Sequence, residues 1–363
     1  MYRIFLFSVL LLLSCSEDEV TNSVNTAPVT YFPEVGSIWE RATPASLGWD
    51  DTKLADLKTF LSSTNSRALI VLKDGKIVIE EYTGKQLVNT NLDFSATNNW
   101  YWASAGKTLT SAAVGIAQSQ GKINLEAKTS DYLGTGWSSL SSILEDKILV
   151  RHQLTMTTGL DDGVANYDCT DPACLIYKAD PGTRWAYHNA PYTLLDHVIS
   201  NATSKTLNEY VTQEILTKIG MDGQFVKTGD NNVFYSTPRS IARFGLLLLK
   251  KGKWDQTQII PESYVNLMTT SSQTFNPAYG YLIWLNGKPS YMVPGLQVSV
   301  NGYLSPNAPN DMIAAMGKNG QLINIVPSQR LVVIRLGDVP DANQVPFLFQ
   351  DDLWKKLNTI IIN

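Results

Sequence analysis

Strand patterns stand near both ends of this chain, and helical patterns fill the region between them. Apolar runs at 68–72 and 77–82 flank Asp74-Gly75, and Asp-Gly between two such runs is a strong hairpin signal. Further strands are predicted near the other end, over 312–316, 322–326 and 331–336. Since these runs are separated by Gly and Pro-Ser turns, we predict that both ends of the chain join in one antiparallel sheet.

Helical patterns carry the 3.6-residue period of amphipathic helices. They predict helices over 51–62, 104–119, about 149–157, 190–202, 206–219 and 238–251, and a closing helix near 351–359. The predicted fold class is α/β (α+β), an antiparallel sheet flanked by helices with an all-helical subdomain and a cleft between the two parts. We expect one domain over 36–363, with an α/β part at about 36–100 and 240–363 and a helical part at about 101–239.

The N-terminus has the order of an export signal. Arg3 precedes an apolar run over residues 4–13, which is shorter than the roughly 20 residues of a membrane-spanning helix. Leu12-Leu13-Ser14-Cys15 resembles the lipobox of bacterial lipoproteins, with an ordinary secretory signal as the alternative. We therefore expect a signal peptide over 1–15, a flexible tether over 16–35, and an exported lipoprotein anchored by a lipid on Cys15, periplasmic or on the outer surface.

Charge and cysteine content limit the partners. The 363 residues carry a net charge of -4 with 17% charged residues and no basic run, so nucleic acid is not expected as a partner. In an exported chain, Cys169 and Cys174 most simply form a local disulfide. A metal site is the alternative, but three histidines without metal-ligand spacing give it little support. No metal or organic cofactor is predicted.

The candidate nucleophile is Ser104 in Ser104-Ala-Gly-Lys107. Ser119-Gln-Gly-Lys122 has the same spacing, but only Ser104 begins a helix whose apolar positions repeat as in a buried helix. Residues three apart share a helix face, so Lys107 can reach the Ser104 hydroxyl. A buried lysine loses hydration of its ammonium form, and its pKa then falls toward working pH. The alternative is a serine N-cap beside a solvated lysine.

A second candidate element is Tyr187-His188-Asn189, which lies just before the helix predicted at 190–202. A phenol near a lysine can exist partly as phenolate and pass a proton to a leaving group. The Asn189 amide could hold the lysine or a substrate carbonyl. We expect His188 to be structural or exposed and to point away from this pair. The alternative is a buried tyrosine beside a helix cap.

These segments resemble the class C β-lactamase-like and penicillin-binding serine hydrolases over roughly residues 40–360. The motifs occur in the family's order: Ser104-x-x-Lys107, residues 150–160, Pro181-Gly182 before Tyr187-x-Asn189, Ile325-Val-Pro327 and residues 331–334. The resemblance implies that the serine is acylated, that the lysine and tyrosine handle protons, and that two backbone N–H groups form an oxyanion hole.

The chain departs from this family at its third motif. Lys-Thr-Gly or His-x-Gly is missing, and Gly317-Lys-Asn-Gly320-Gln321 is closer to the 6-aminohexanoate-dimer hydrolase and esterase-like branch. The resemblance then implies that Lys318 contributes a backbone N–H to the oxyanion hole alongside Ser104. A Gly-x-Ser-x-Gly elbow is absent because position 102 is Trp, and no sequence context supports a Ser-His-Asp triad.

Three functions follow as expectations. The first is a serine hydrolase of the esterase or amidase type, cleaving a small ester, amide or short peptide through an acyl-enzyme on Ser104. The second is a D-stereospecific peptidase, carboxypeptidase or β-lactamase acting on cell-wall-related substrates, which the missing Lys-Thr-Gly disfavours. The third is a surface binding protein that kept the fold and lost turnover. Oligomeric state is left open.

Overall fold

The computed structural model describes residue 1 and residues 29–36, 38–343 and 345–362. The predicted signal peptide, Cys15 and the tether up to residue 28 lie outside the described residues. Among the helices of the described chain, none has the length and apolar character needed to cross a bilayer.

The strands of the described chain are β1 (Ser66–Lys73), β2 (Lys76–Tyr82), β3 (Trp100–Tyr101), β4 (Gln224–Thr228), β5 (Asn231–Ser236), β6 (Lys253–Trp254), β7 (Thr257–Gln258), β8 (Trp284–Leu285), β9 (Ser290–Met292), β10 (Ser299–Asn301), β11 (Ile313–Gly317), β12 (Gln321–Val326) and β13 (Leu331–Gly337).

The α-helices of the described chain are α1 (Leu54–Ser63), α2 (Gly106–Ser119), α3 (Ser130–Leu133), α4 (Ser142–Glu145), α5 (Val150–Leu154), α6 (Asn189–Thr193), α7 (Leu195–Thr203), α8 (Leu207–Val211), α9 (Thr217–Ile219), α10 (Pro238–Leu249), α11 (Glu262–Met268) and α12 (Phe347–Leu357). A π-helical turn over Thr212–Leu216 joins α8 to α9.

The main sheet has six antiparallel strands in the order β2-β1-β13-β12-β11-β8. It joins the two ends of the chain, as the strand patterns predicted. The β1–β2 hairpin turns at Asp74 and Gly75, which have φ of 51° and 84°. Positive φ at both central positions suits the right-handed twist of the flanking strands and explains why Asp-Gly predicts this hairpin.

Helices cover both faces of the sheet. On one face α10 packs against β12 and β13, where Gly245 lies so close to Val332 that a Cβ would meet the valine side chain at 2.5 Å. On the other face the Arg335 guanidinium lies over the ring of Phe349 in α12. Val332 and Arg335 point to opposite faces because side chains alternate along a strand. Both faces are therefore buried, which explains why β12 and β13 are apolar at most positions, with Gln321, Asn324 and Arg335 as the polar exceptions.

The middle of the chain is mostly helical and packs around α2, whose residues 106–117 are all buried. It also contains a three-stranded sheet in the order β3-β5-β4. The prediction of an all-helical part did not include this sheet. The helix predicted over 149–157 ends at Leu154, and Met156 takes a left-handed φ of 57°. The helix predicted over 190–202 is divided into α6 and α7 at Leu194.

Candidate active site

Ser104 lies in a tight turn between β3 and α2. The turn is a 3-10 segment over Ala103–Ala105, and Ala103 has a φ of 47°, in the left-handed region that an L-residue adopts at a cost. Trp102 anchors the turn, since its backbone N–H donates to the Phe234 carbonyl at 2.8 Å. Its indole N–H donates to Ser236 Oγ at 2.8 Å. The partly exposed Ser104 hydroxyl is thus fixed at the mouth of a cavity.

Lys107 lies one helical turn after Ser104, and its Nζ contacts Ser104 Oγ at 2.9 Å. The residue is only 4% exposed. Burial lowers the pKa of Lys107 to about 7, while the negative charge of Asp168 acts in the opposite direction. The ammonium form also lies over two aromatic rings, with Nζ 4.4 Å from the ring centre of Tyr192 and 5.2 Å from that of Tyr187. Both protonation states of Lys107 are therefore accessible near pH 7.

Tyr187 lies against the same serine. Burial raises the pKa of its phenol well above the ordinary value, and an interaction with Ser104 only partly opposes this. In the free protein Tyr187 is therefore a neutral phenol, which corrects the partial phenolate that the sequence suggested. Its ring stacks on Trp284 with centres 6.0 Å apart. Tyr187 can thus donate a proton or a hydrogen bond, and Lys107 is the better base.

Asn189 is in the cavity wall, and its amide makes no hydrogen bond to Lys107, which was one of its two predicted partners. Its Nδ2 donates to Asp168 Oδ1 at 2.7 Å, and its buried Oδ1 has no partner in the described chain. Asp168 directly precedes Cys169, which forms the predicted disulfide with Cys174 at a Cα–Cα distance of 5.9 Å. The disulfide prediction is confirmed, and the carboxylate that accepts from Asn189 lies directly before the loop that the disulfide closes.

Lys318 follows strand β11 at the edge of the cavity, with its side chain exposed. The preceding Gly317 lies directly against the nucleophile turn. A Cβ on Gly317 would be 2.4 Å from the Trp102 carbonyl oxygen and 3.0 Å from the Ser104 backbone nitrogen. The start of the Lys318 turn is thus beside the Ser104 backbone nitrogen, so the oxyanion hole that the resemblance implied stays a prediction.

His188 is buried, and both of its ring nitrogens lack a partner in the described chain. It does not line the cavity, so the expectation that it points away from Tyr187 and Asn189 holds, although it is not exposed. Burial lowers the pKa of His188 to about 4, so the ring is neutral. His152 and His197 also do not line the cavity, and a histidine-based triad has no support here. Within the described residues, no cluster of three or more His, Cys, Asp or Glu could hold a metal ion.

The cavity has a volume of about 610 Å³. Its lining residues are Ala103, Ser104, Lys107, Asp162, Tyr167, Asp168, Tyr187, Asn189, Tyr192, Thr228, Asn231, Asn232, Val233, Trp284, Pro294, Gly295, Met316, Gly317, Lys318, Val345, Pro346 and Phe347. All five predicted site residues are among them. The sequence reading missed Asp168, Tyr192, Trp284 and Phe347 as site residues.

A family model described as Beta-lactamase matches residues 62–340, which is more than half of the chain. The chain belongs to the Beta-lactamase family. An uncharacterized protein of Alkalihalophilus pseudofirmus is 25% identical over 307 residues, covering 76% of this chain and 84% of that protein. Protein flp of Staphylococcus aureus is 23% identical over 176 residues, covering 45% of this chain and only 35% of flp.

Several solved structures share this Beta-lactamase family fold. One named as a 6-aminohexanoate-dimer hydrolase from Bacillus anthracis has a TM-score of 0.67 at 17% identity, covering 91% of this chain and 89% of that one. One named as a β-lactamase from Bacteroides dorei has a TM-score of 0.65 at 16% identity, covering 86% and 99%. EstCE1, a hydrolase with promiscuous acyltransferase activity, has a TM-score of 0.65 at 13% identity, again covering 86% and 99%. At these identities the likeness concerns the fold.

Proposed function

We propose that this chain is a serine hydrolase that cleaves a small ester or amide through an acyl-enzyme on Ser104. The observation that carries the proposal is the contact of 2.9 Å between Lys107 Nζ and Ser104 Oγ, made by an amine whose pKa burial lowers to about 7. A solvated lysine would be almost fully protonated at neutral pH and could not act as a base. A nucleophile within hydrogen-bond reach of a tuned base is the arrangement that activates serine.

Acylation uses the neutral form of Lys107. The amine accepts the Ser104 proton as the serine oxygen attacks the substrate carbonyl carbon. The negative charge that develops on the carbonyl oxygen lies beside the Ser104 N–H and the backbone around Lys318. Donors fixed in this way need no rearrangement as charge develops, which lowers the barrier.

Leaving-group departure and deacylation use the neutral phenol of Tyr187. It donates a proton to the departing oxygen or nitrogen and is reprotonated from the ammonium group of Lys107. A water molecule then attacks the acyl carbon while neutral Lys107 accepts its proton. The bond to Ser104 Oγ breaks as Tyr187 donates a proton to Oγ and is reprotonated from Lys107, and the free acid leaves. The sequence of steps consumes one water for each ester or amide bond and involves no cofactor.

Turnover of three substrates tests the proposal: p-nitrophenyl acetate, nitrocefin and a linear 6-aminohexanoate dimer. We expect hydrolysis of at least one, with an initial burst if deacylation limits the rate, and loss of turnover in Ser104→Ala. Preference for nitrocefin, or release of D-alanine from a muropeptide, would select the cell-wall alternative. Turnover at the wild-type rate in folded Ser104→Ala would overturn the mechanism.

We also propose that the protein is exported and held at a membrane by a lipid on Cys15. Support comes from the N-terminal sequence, where a basic residue, an apolar run and Leu12-Leu13-Ser14-Cys15 follow in the order of a lipoprotein signal. The disulfide between Cys169 and Cys174 fits an oxidising compartment outside the cytoplasm.

A further inference from the structure

Arg335 is a fully buried arginine in the middle of β13, with 0% of its surface exposed. Burial lowers the pKa of its guanidinium to about 9, so the group stays a cation at neutral pH. Among the described residues no carboxylate forms an ion pair with it. The ring of Phe349 lies 4.7 Å below the guanidinium and offers partial compensation. An apolar residue of similar volume would cost less to bury, so the cation needs another explanation.

The guanidinium bonds go mainly to backbone carbonyl oxygens. One terminal nitrogen donates to Asn319 O at 2.6 Å and to Gly320 O at 3.1 Å. The other donates to Thr64 O at 2.7 Å and to Asp338 O at 3.1 Å, and Nε donates to Ser66 Oγ at 3.1 Å. All five donors of the guanidinium are therefore used, in a fork that no other side chain can reproduce.

Two glycines make room for this group. A Cβ on Gly320 would be 2.8 Å from one terminal nitrogen of Arg335, and a Cβ on Gly337 would be 2.5 Å from the other. Gln321 supports the same turn, since its Nε2 donates to the Lys318 carbonyl at 3.3 Å and to the Gly337 carbonyl at 2.6 Å. The two glycines thus leave space for the Arg335 guanidinium, and Gln321 holds the same turn by a second set of hydrogen bonds.

The turn held by Arg335 begins beside the nucleophile. It runs over Lys318–Gly320, directly after Gly317, and Asn319 has a left-handed φ of 65°. Because Arg335 binds the carbonyl groups of Asn319 and Gly320, the peptide planes of the turn cannot rotate freely. The Lys318 carbonyl is held by Gln321, and the N–H of Lys318 belongs to the preceding peptide, which starts at Gly317 beside the Ser104 nitrogen. Tyr101 holds the turn from the other side, where its hydroxyl accepts from Asn319 Nδ2 at 2.9 Å.

We propose that Arg335 is a positioning residue for the oxyanion hole, which it serves by clamping the Lys318–Gly320 turn against the nucleophile turn. The inference rests on the proposed acyl-enzyme function, and it assigns a role to a residue that touches neither the substrate nor the reacting atoms. Arg335 therefore stabilises the transition state, in which the oxyanion forms, and hardly changes the binding of the substrate in its ground state.

The test compares Arg335→Gln with Arg243→Gln. Arg243 is a matched control because it is also buried and its terminal nitrogens also donate to backbone carbonyls, those of Pro33, Glu34 and Ile219, which do not line the cavity. We expect Arg335→Gln to lower kcat on the order of 10- to 100-fold with KM within about twofold. A boronic acid, which mimics the tetrahedral state, should lose affinity in parallel, and the product acid should not. Arg243→Gln should lower the melting temperature and leave kcat unchanged.

Arg335→Lys provides a second variant if the glutamine variant does not fold. It keeps a buried cation with three donors in place of five, and we expect the same loss of kcat and of boronic acid affinity, of smaller size. The proposal is overturned if folded Arg335 variants keep wild-type kcat, if only KM changes, or if Arg243→Gln loses kcat equally. Absence of turnover and of Ser104 labelling in the wild type would instead overturn the acyl-enzyme function, so the two failures are distinguishable.

Discussion

At the scale of single residues, the chemistry depends on one amine held in an apolar site. Lys107 has Nζ 2.9 Å from Ser104 Oγ, and Tyr187 and Tyr192 present ring faces to it. Desolvation favours the neutral amine, while the ring faces and the charge of Asp168 favour the ammonium form. The balance places the pKa near 7, where the group can both take and return a proton.

The pH dependence of acylation follows from this pKa. Because acylation needs neutral Lys107, kcat/KM should rise with pH through about 7 and level off above it, falling about tenfold per unit on the acid side. Ester hydrolysis measured between pH 5 and pH 9 checks this, with a substrate that does not itself ionise. A profile that is flat across pH 7 would remove Lys107 as the base.

Gly317 gives a second prediction at this scale. A Cβ there would meet the Trp102 carbonyl at 2.4 Å and the Ser104 nitrogen at 3.0 Å, so Gly317→Ala must separate β11 from the nucleophile turn. We expect kcat/KM to fall by about 100-fold or more. Gly121→Ala is the control for a general loss of stability, since Gly121 has open space around it but a left-handed φ of 68° and lies just beyond the far end of α2. It should lower the melting temperature and leave kcat/KM unchanged. Equal kcat/KM in both variants would argue against the close approach.

Some site residues were predictable and others were not. Ser104 and Lys107 are only three residues apart, so a local motif could reveal them. The helical apolar period after Ser104 distinguished this motif from Ser119-x-x-Lys122, which has the same spacing. Trp284 and Phe347 reach the cavity from separate strand and helix ends, without any local motif. Asp168 had a usable signal, because it stands beside Cys169, whose disulfide had been predicted.

At the scale of elements, the loop closed by Cys169 and Cys174 supports the helical wall of the cavity. Asp168 precedes this disulfide, and its carboxylate accepts from Asn189 at the start of α6. Asn189 in turn lies next to the peptide that carries Tyr187. The disulfide therefore restrains the backbone next to Asp168, and Asp168 in turn orients the Asn189 amide in the cavity wall.

Removing the disulfide should lower both stability and activity. For so short a loop the chain-entropy model gives about 2 kcal/mol of unfolding free energy, so the Cys169→Ser, Cys174→Ser double variant should melt at a lower temperature. Its kcat/KM should fall as well, because Asp168 is held less firmly. Thermal unfolding and ester hydrolysis, compared with the wild type under oxidising and reducing conditions, measure both effects. An unchanged melting temperature would contradict this.

Elements with a sustained apolar period were predicted well, and short ones were not. The sequence predicted α2, α10 and five of the six strands of the main sheet, because each has a buried face along its length, and it missed the two-residue β8. The β4–β5 hairpin was missed, although Gly229-Asp230 between Phe225-Val226 and Val233-Phe234-Tyr235 was a readable turn signal. The end of α5 was misjudged because the left-handed Met156 follows from tertiary packing and not from its own preference.

At the scale of the whole molecule, the cavity lies between the main sheet and the helical segment. The sheet side contributes Trp284, Gly317 and Phe347, while the helical side contributes Lys107 and Tyr187. The general position of the cleft was predictable, since a sheet and a helical segment must meet along one boundary. Its lining was not, because loop residues enter it from distant parts of the chain.

Localisation is also a property of the whole molecule. If Cys15 carries the anchor, the full-length chain expressed in bacteria should partition with membranes and incorporate labelled fatty acid. Cys15→Ser should abolish the labelling and release the processed protein or leave its precursor uncleaved. Cys169→Ser is the control, because its sulfur lies in the disulfide and its loss should not affect lipid attachment. Lipid incorporation that persists in Cys15→Ser would contradict the lipoprotein proposal.

The central claim is that Ser104 forms the acyl-enzyme, and intact-mass labelling with a fluorophosphonate tests it most directly. Ser119→Ala is the matched control, because Ser119-x-x-Lys122 has the same spacing on an exposed helix end. We expect one adduct on the wild type and on Ser119→Ala, located on Ser104 by peptide mapping, and none on Ser104→Ala. An unlabelled but folded wild type, or an adduct that persists in Ser104→Ala, would contradict the claim.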